Sequence, residues 1–442
     1  MEDMASRAIG LCDCNNFFVS CERRENPALI DRPVVVLSGN DGCIVARSNE
    51  VKAMGVPMGE PYFKVRGLLE RAGAAVLSGR LSLYNKISAE VMSRLACFSD
   101  VTEVYSIDEA FINLAIPSIK DPAAYCMELR KDIWRHCSIP VSVGISSTKT
   151  LAKLASHCAK HSDSGVFWLK RDSYADPRWM AQFEVGDIWG VGRRMAKRLN
   201  LYHRILTAAD FVSADDLLLK RDFSVNALYT AWELRGYPVY PLAGGRRAPK
   251  SIQVSRSFGE AVFSYGELLE AVSYFTLCAA RQLRAAKQRA SRMGVYITTS
   301  RFRADNFYAR EDARSFSSPR SLDCDFLSAA RDMLAGIYRE GCAYKKAGVV
   351  LDDFTDVSCG VQQLLFDEEG RPEAREGKFL LAAAVTDSLN REFGRLVIGS
   401  ADNFGAPERK SKWYPRRGHS AAENDYRDRP ALPIGPSRRV GF

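Results

Sequence analysis

Apolar and polar positions divide the first 170 residues into an ordered series of strands and helices. Short apolar runs are typical of buried strands, and apolar residues three and four apart indicate the buried face of a helix. An Asp-Pro pair is a strong helix start, because Asp caps the first turn and Pro occupies its first position. The predicted elements are strand 8–14, helix 82–97, two strands within 101–114 that meet at Asp108-Glu109, a helix from Asp121-Pro122 to about Cys137, and strand 140–146.

This order predicts an α/β (α+β) unit of the ferredoxin-like type. The β-α-β-β-α-β order has that form when residues 16–80 are an insertion after the first strand. With right-handed crossovers the first two strands run parallel, and the third lies between them and antiparallel to both. The end of strand one and the turn between strands two and three then share one sheet edge. We expect Asp13, Asp108 and Glu109 to meet there.

The rest of the chain predicts an inserted subdomain, a helical region and a second α/β region. Residues 171–240 have mainly helical periodicity, and the Pro, Gly and charges of PLAGGRRAPK at 241–250 are typical of an exposed linker. The last thirty residues, rich in Pro, Arg, Gly and Asn, predict no core of their own. Further predicted elements are strands 33–37 and 43–46, a helix from about Asn49 capped by Gly55, helices 266–290 and 322–338, and strands 252–258, 293–300 and 347–352.

Length and composition predict a soluble protein of three or four domains. The chain has 442 residues, of which 46% are hydrophobic and 26% charged, and these values exclude wholesale disorder. No apolar run approaches the roughly 20 residues that span a bilayer, and MEDMASR is not a secretory leader. Twelve cysteines are scattered without metal-ligand spacing, as in a reducing compartment. We therefore predict a cytoplasmic protein without a membrane partner.

The net charge of +9 is concentrated in one part of the chain. Residues 244–310 contain 12 Lys and Arg residues against 4 acidic residues, which leaves +8 in this segment. A local basic excess of this size is typical of a surface that binds a polyanion.

The three carboxylates predicted at one sheet edge are suitable ligands for Mg²⁺, a hard cation that prefers oxygen. Two such ions about 4 Å apart stabilise the attacking and leaving oxygens of a phosphoryl transfer. An acidic residue at a strand end is, taken alone, more often a solvated turn residue. The coincidence of Asp13, Asp108 and Glu109 at one edge favours the metal site.

Four ordered motifs carry a family resemblance. LCDCNNFFVSCE, ARSNEVKAMGVPMGEP, YSIDEAF and VGISSTKTLAKLASHCAK resemble Y-family translesion DNA polymerases. GVVLDDFTD, VQQLLFDEEG and TDSLNREFG further resemble the UmuC branch, the catalytic subunits of DNA polymerase V. The resemblance covers about residues 8–400. It implies a polymerase palm at 1–15 and 81–170, fingers at 16–80, a thumb with a helix-hairpin-helix at 171–241, a linker at 242–250, a little finger at 251–356, and a C-terminal tail at 357–442.

The resemblance implies roles for individual residues. Asp13, Asp108 and Glu109 match the metal-binding carboxylates, and Cys14 matches a residue that contributes its backbone carbonyl. Two Mg²⁺ ions are implied, with Mn²⁺ as a substitute. Phe18 matches the steric gate that excludes a ribose 2′-hydroxyl. Further positions that match the nucleotide site are Phe17, for which core packing is preferred, Asn49 and Lys52, where many relatives have Tyr and Arg, and Lys153 at the triphosphate.

DNA and protein partners are implied in the same way. VGDIWGVGRRMAKRL resembles a helix-hairpin-helix, which binds DNA phosphate through backbone N–H groups and basic side chains. A helix-helix turn with a solvated basic face is the alternative. A UmuD-type dimer and a RecA filament are implied partners, and nucleoid association is implied for the active enzyme. The implied DNA-binding residues are Gly190, Gly192, Arg193, Arg194, Lys197 and, in the little finger, Arg256.

A short peptide in the tail matches the Q-x-x-L-F motif that docks on the bacterial sliding clamp. Its residues are Gln362, Leu365 and Phe366, immediately after the last predicted strand.

We predict an error-prone translesion DNA polymerase that adds dNTPs to a primer 3′-OH in SOS repair and mutagenesis. The alternatives are a catalytically weak subunit that binds DNA and the clamp, and another enzyme on the same palm, such as a nucleotidyl cyclase. The presence of all three carboxylates and of Lys153 favours an active polymerase over a catalytically weak subunit. The basic second region favours an enzyme that binds long DNA, and therefore a polymerase over a nucleotidyl cyclase.

Overall fold

The palm and fingers elements follow one another in the first 168 residues. The structure is a computed structural model that describes residues 8–244, 249–302, 307–357, 373–392, 412–413 and 418–419. The region names introduced above are kept as labels for their sequence ranges. The elements are β1 Ile9–Cys14, α1 Phe17–Glu25, β2 Val34–Leu37, β3 Ile44–Arg47, α2 Asn49–Ala53, α3 Tyr62–Arg71, β4 Ala75–Ser78, α4 Leu81–Leu95, β5 Thr102–Val104, β6 Glu109–Asn113, α5 Pro122–Cys137, β7 Val141–Ser146, α6 Lys149–Ala159 and β8 Val166–Trp168.

The palm sheet has the strand order β5-β6-β1-β7-β8. Strand β6 is antiparallel to both β1 and β5, so β1 and β5 are parallel, and the predicted ferredoxin-like arrangement is confirmed. Helix α5 begins after Asp121, whose carboxylate accepts hydrogen bonds from two N–H groups of the first turn, and ends at the predicted Cys137. Strand β8, parallel to β7, was not predicted.

Close packing of α6 on β7 depends on one glycine. A Cβ at Gly144 would overlap the backbone of Ala155 and Ser156, so only glycine lets this helix approach the strand. Helix α6 therefore lies directly on the sheet, with Lys153 over the edge where β1 ends.

The inserted fingers form a three-stranded sheet of order β3-β2-β4 with its own small core. Strands β2 and β3 confirm the two predicted strands within one residue, and Gly55 follows α2 at the predicted cap with φ of 75°. Strand β4 and helix α3 were not predicted.

The thumb is helical, as predicted, and its core, which also includes Leu151 and Leu154 of α6, is distinct from the main core of the palm sheet. Buried Lys149 at the start of α6 pairs with Glu103 at 2.7 Å and donates to the carbonyl of Pro241 at 2.9 Å, which attaches the end of the thumb to the palm. The thumb helices are α7 Arg171–Tyr174, α8 Pro177–Met180, α9 Arg193–His203, α10 Ala208–Ser213, α11 Asp216–Asp222 and α12 Val225–Leu234.

The little finger is a four-stranded sheet of order β11-β10-β12-β9 with two helices packed on one face. The predicted helix 266–290 is wrong at its end, because the helix stops at Ala285, Lys287 turns the chain with φ of 55°, and the next strand starts at Gln288. Strand β11 was not predicted because AREDARSFSSPR is largely polar. The elements are β9 Ser251–Val262, α13 Tyr265–Ala285, β10 Gln288–Thr299, β11 Ala309–Arg320, α14 Asp323–Ile337, β12 Tyr344–Asp356 and, in the tail, α15 Glu373–Glu392.

Two tail segments pack on the folded regions. Asp387 of α15 pairs with Arg284 of α13 at 2.8 Å, and the Trp413 side chain lies inside the little-finger core. No helix in the described ranges is both long and apolar enough to cross a membrane.

Candidate active site

The palm sheet brings the predicted carboxylates to one edge. Asp13 near the end of β1 lies directly opposite Glu109 at the start of β6. The N–H of Cys14 donates to the carbonyl of Asp108 at 2.9 Å, which joins the end of β1 to the turn before β6. The predicted meeting of Asp13, Asp108 and Glu109 is therefore confirmed at the level of the backbone.

Lysines from α6 and the residue after it neutralise two of these carboxylates. Lys160 Nζ lies 2.6 Å from Asp13 Oδ2, and Lys153 Nζ lies 2.6 Å from Glu109 Oε2. Asp108 accepts a hydrogen bond from Ser106 Oγ at 2.5 Å instead. Within the described part of the chain, no three Asp, Glu, His or Cys side chains are gathered as a metal cluster.

The donor set nevertheless fits a divalent cation. Asp13 is 6% exposed, and burial raises the pKa of its carboxyl, although the ammonium of Lys160 acts in the opposite direction. A buried carboxylate is stable in its charged form only with a compensating cation. In this structure the ammonium groups of Lys153 and Lys160 supply the compensating positive charge beside carboxylate oxygens. A magnesium ion, which prefers hard oxygen ligands, would supply the same positive charge at this place.

The Cys14 thiol is not suited to bind metal. Cys14 is 3% exposed, and burial raises the pKa of its thiol well above the ordinary value. A protonated thiol is a poor ligand, because the thiolate is the form that coordinates metals. This agrees with the expectation that Cys14 contributes only its carbonyl.

Phe17 and Phe18 have different environments although they are neighbours. Phe17 is 4% exposed in the palm core, the location preferred for it from the sequence. Phe18 is half-buried and stacks on Tyr84, with ring centroids 4.4 Å apart and 17° between the rings. The Phe18 ring is therefore held by an aromatic neighbour on α4.

A buried ion pair holds Tyr84 in place. The Tyr84 hydroxyl donates to Glu22 Oε1 at 2.6 Å, and the Arg80 guanidinium binds both carboxylate oxygens of Glu22. Glu22 is 3% exposed. Arg80 is partly exposed, so the larger cost, roughly 3–5 kcal/mol, comes from removing Arg80, which leaves the buried Glu22 carboxylate without compensation.

The fingers contribute cations near Asp13. Asn49 accepts a hydrogen bond from Asn16 at 2.9 Å, which places α2 beside the residues that follow β1. Partial desolvation lowers the pKa of Lys52, and the charges of Lys160 and Arg47 lower it further. Among the described residues, Nε and Nη1 of Arg47 are buried without a hydrogen-bond partner. This concentration of positive charge favours a polyanionic ligand.

The segment that resembles a helix-hairpin-helix lies next to the edge that carries the three carboxylates. Gly190 has φ of 93°, and Gly192 precedes α9 as its cap. The Lys153 ammonium lies 4.6 Å from the ring centroid of Tyr105 and 5.9 Å from that of Trp189, so an aromatic cluster connects the two regions. The predicted basic residues on α9, all exposed, are Arg193, Arg194 and Lys197.

The little finger presents a basic groove. Arg256, proposed for DNA from the sequence, is half-buried and stacks over Tyr274 at 5.2 Å. Other cations line a cavity of about 850 Å³ on the sheet, in which Lys346 faces the Tyr296 ring at 5.6 Å. The basic residues of this cavity are Arg301, Arg310, Lys345 and Lys346.

Gln362, Leu365 and Phe366 of the clamp motif lie outside the described residues.

Comparison with known proteins decides the family. The impB/mucB/samB family matches residues 12–157, and the C-terminal domain of that family matches residues 249–365. UmuC of Salmonella typhimurium is 38% identical, over 87% of this chain and 91% of that protein. The chain belongs to the impB/mucB/samB family.

Other members and neighbours agree with this assignment. MucB of Escherichia coli is 36% identical over 86% of this chain and 90% of its own length, and DNA polymerase IV of Caulobacter vibrioides is 26% identical over 87% and 94%. A solved Y-family DNA polymerase chimera has the same fold, with a TM-score of 0.63, 20% identity, and coverage of 79% of this chain and 99% of the chimera. The predicted Y-family, UmuC-like identity is confirmed.

Sequence reasoning missed several side chains that the impB/mucB/samB fold brings to this site. Lys160 lies seven residues after Lys153, which is two helical turns and therefore the same helix face. That spacing could have identified it. Tyr84, Glu22 and Arg47 had no such signal, since each reaches the site only through packing of separate elements.

Proposed function

We propose that this chain joins dNTPs to a primer 3′-OH through a site in which Asp13, Asp108 and Glu109 hold two Mg²⁺ ions. The chain is an error-prone translesion DNA-directed DNA polymerase of the SOS response, and it acts on primer-template DNA and dNTPs with a divalent metal. The proposal rests on one observation: Asp13 and Glu109 face each other at the sheet edge, each paired with a lysine.

Each group at the edge has a distinct part in this proposal. The carboxylates and the Cys14 carbonyl would hold the ions, which when bound would supply Lewis acidity to the attacking hydroxyl and to the triphosphate. Mn²⁺, with similar oxygen preference, substitutes for Mg²⁺. Lys153 and Lys160 exchange their carboxylate partners for phosphate oxygens when metal and nucleotide bind. Asn49 and Lys52 lie on the fingers side of the same triphosphate.

Replacing Lys160 with Ala is expected to raise the KM for dNTP by about 10-fold, equivalent to about 1.4 kcal/mol of binding. The reason is that Lys160 contributes a charge to the ground-state complex as well as to the transition state, so kcat changes less than KM. Single-nucleotide incorporation kinetics would measure both constants. Lys120→Ala, an exposed palm lysine, is the control, and an unchanged KM for Lys160→Ala would remove this lysine from the nucleotide site.

The remaining regions bind DNA without reading its sequence. We assign palm, fingers, thumb, linker, little finger and tail to the ranges predicted from the sequence. The glycines and basic residues of the helix-hairpin-helix and the basic little finger bind phosphates, so affinity falls steeply with salt. A UmuD-type dimer and a RecA filament are proposed partners.

Primer extension past an abasic site tests the proposed function. With Mg²⁺, a primed template and the full chain, we expect dNTP addition opposite and beyond the lesion. Chelation of the metal should stop addition while primer-template binding continues. Absence of dNTP addition by the wild-type chain, on undamaged as well as abasic templates and with the partner proteins supplied, would contradict the proposal.

The tail peptide is proposed to bind the sliding clamp. Replacing Leu365 and Phe366 together with Ala should abolish binding to the clamp and leave clamp-independent extension unchanged, because a Q-x-x-L-F peptide is anchored by its last two apolar side chains. Surface plasmon resonance with immobilised clamp would measure this. Ala at the two spacer positions, Gln363 and Leu364, is the matched control. Retained clamp binding by the Leu365 and Phe366 variant would refute the assignment of this peptide as the clamp-binding segment.

A further inference from the structure

The tail has a buried anchor in the little finger. Trp413 is 2% exposed, and its ring lies 5.2 Å from the ring centroid of Tyr274 and 5.8 Å from that of Phe275 on α13. The neighbouring Lys412 accepts a backbone hydrogen bond from Glu260 at 3.1 Å and forms an ion pair with Glu267 at 2.9 Å. A large apolar ring and two polar contacts make this a specific attachment.

The tail also contacts the fingers, a few residues later. The N–H of Gly418 donates to Asp41 Oδ2 at 2.7 Å, and the N–H of His419 donates to Ser78 Oγ at 3.3 Å. The His419 ring packs edge-on against Tyr62, with centroids 5.4 Å apart. Gly418 is exposed and Asp41, Tyr62 and His419 are partly buried, whereas Ser78 is buried, so this second attachment excludes less water than the one at Trp413.

The short connection between the two attachments limits how far apart they can lie. Four residues separate Trp413 from Gly418, and a fully extended chain gains at most about 3.6 Å per residue, so the two sites stay within roughly 18 Å of each other. At the same junction Asn40 of the fingers donates directly to the carbonyl of Ser257 in β9 at 2.7 Å. Ser257 also lines the basic cavity of the little finger.

We propose that the described tail residues Lys412, Trp413, Gly418 and His419 form a clasp: the first two bind the little finger, the last two bind the fingers, and together they hold these two domains side by side. A net hydrogen bond such as that between Asn40 and Ser257 contributes only about 1 kcal/mol, so the tail contacts add substantially to the attachment of the two domains. The clasp raises the effective concentration of one domain at the other. The basic groove is thereby positioned beside the fingers before DNA arrives, which reduces the ordering cost of binding. The part concerning DNA rests on the proposed function.

A chain that ends at residue 416 tests the clasp, since it keeps Lys412 and Trp413 and, of the described residues, loses only Gly418 and His419, which form the fingers attachment. Asn40→Cys and Ser257→Cys, with exposed Cys97 and Cys324 replaced by Ser, report domain proximity through a short bismaleimide crosslinker. We expect crosslinking about 5- to 10-fold slower than in the full chain, and a similar increase in the Kd for primer-template. A chain that ends at residue 422 keeps both attachments and should behave as the full chain.

Crosslinking before DNA is added should restore the affinity of the chain that ends at 416, because the crosslink replaces the clasp. Trp413→Ala should have the same effects, with thermal denaturation used to confirm that the little finger remains folded. Unchanged crosslinking after truncation would overturn the clasp, and tighter DNA binding after truncation would show that the tail obstructs DNA instead. Crosslinking requires neither DNA nor catalysis, so its outcome is independent of the polymerase assignment.

Discussion

Asp13→Asn is expected to lower dNTP incorporation by at least about 1,000-fold, while primer-template affinity stays within about twofold. Asn keeps the shape of the side chain but removes the charge that pairs with Lys160 and that a metal requires. Loss of one preorganised electrostatic group in an active site commonly lowers kcat by about 100- to 1,000-fold. A carboxylate that binds two metal ions contributes to the placement of both, so its loss is expected to cost more. Single-turnover primer extension with saturating Mg²⁺ would measure the loss.

Asp108→Ala should show a comparable defect, because it removes another ligand from the same sheet edge. Asp163→Asn is the matched control, since this aspartate is exposed shortly after α6 and has no assigned part in the site. Thermal denaturation distinguishes lost chemistry from lost folding, because burial of an amide without a partner at position 13 also affects stability. Near-wild-type incorporation by folded Asp13→Asn would place the metal site elsewhere.

Phe18→Ala is expected to reduce discrimination against ribonucleotides by on the order of 100-fold. We propose that the Phe18 ring, which stacks on Tyr84, excludes the ribose 2′-hydroxyl by steric overlap, as its family resemblance implies. Removing the ring leaves a space that accepts ribose, so the change appears as faster rNTP insertion and not as faster dNTP insertion. The ratio of kcat/KM for matched dNTP and rNTP measures it.

Adjacent residues provide the controls for this prediction. Phe17→Leu should leave discrimination unchanged and lower only stability, because Phe17 packs in the palm core. Tyr84→Leu should give an intermediate loss of discrimination, because Phe18 then keeps its ring but loses the stacked support. An unchanged ratio in Phe18→Ala would mean that another residue excludes the ribose.

Local patterns predicted much of the fold, and their failures have physical causes. Helix α5 was predicted from Asp121-Pro122 to Cys137, since its start signal and apolar spacing lie within the helix itself. Strand β11 was missed because its polar residues take strand conformation only through pairing with β10 at the sheet edge. The predicted helix 266–290 extended too far, because the turn at Lys287 is imposed by the entry into β10.

The candidate site, like the fold, was predictable from the sequence only in part. Ordered motifs and strand order were sufficient to bring Asp13, Asp108 and Glu109 to one edge, because backbone topology determines where strand ends lie. The pairing of Lys160 with Asp13 and the stacking of Tyr84 on Phe18 could not be predicted. They join side chains more than 60 positions apart, and their contact depends on how separate helices pack on the sheet.

The amino-acid sequence by itself determined the family, the order of the palm elements, the carboxylates proposed to bind metal and the location of the basic charge, because each of these depends on residue identity and on spacing along the chain. Tertiary structure alone decided which cations neutralise the carboxylates, what supports the Phe18 ring, and where Trp413 and Gly418 lie against the little finger and the fingers. Such contacts arise between elements distant in sequence, and they form only when packing brings those elements within a few ångströms.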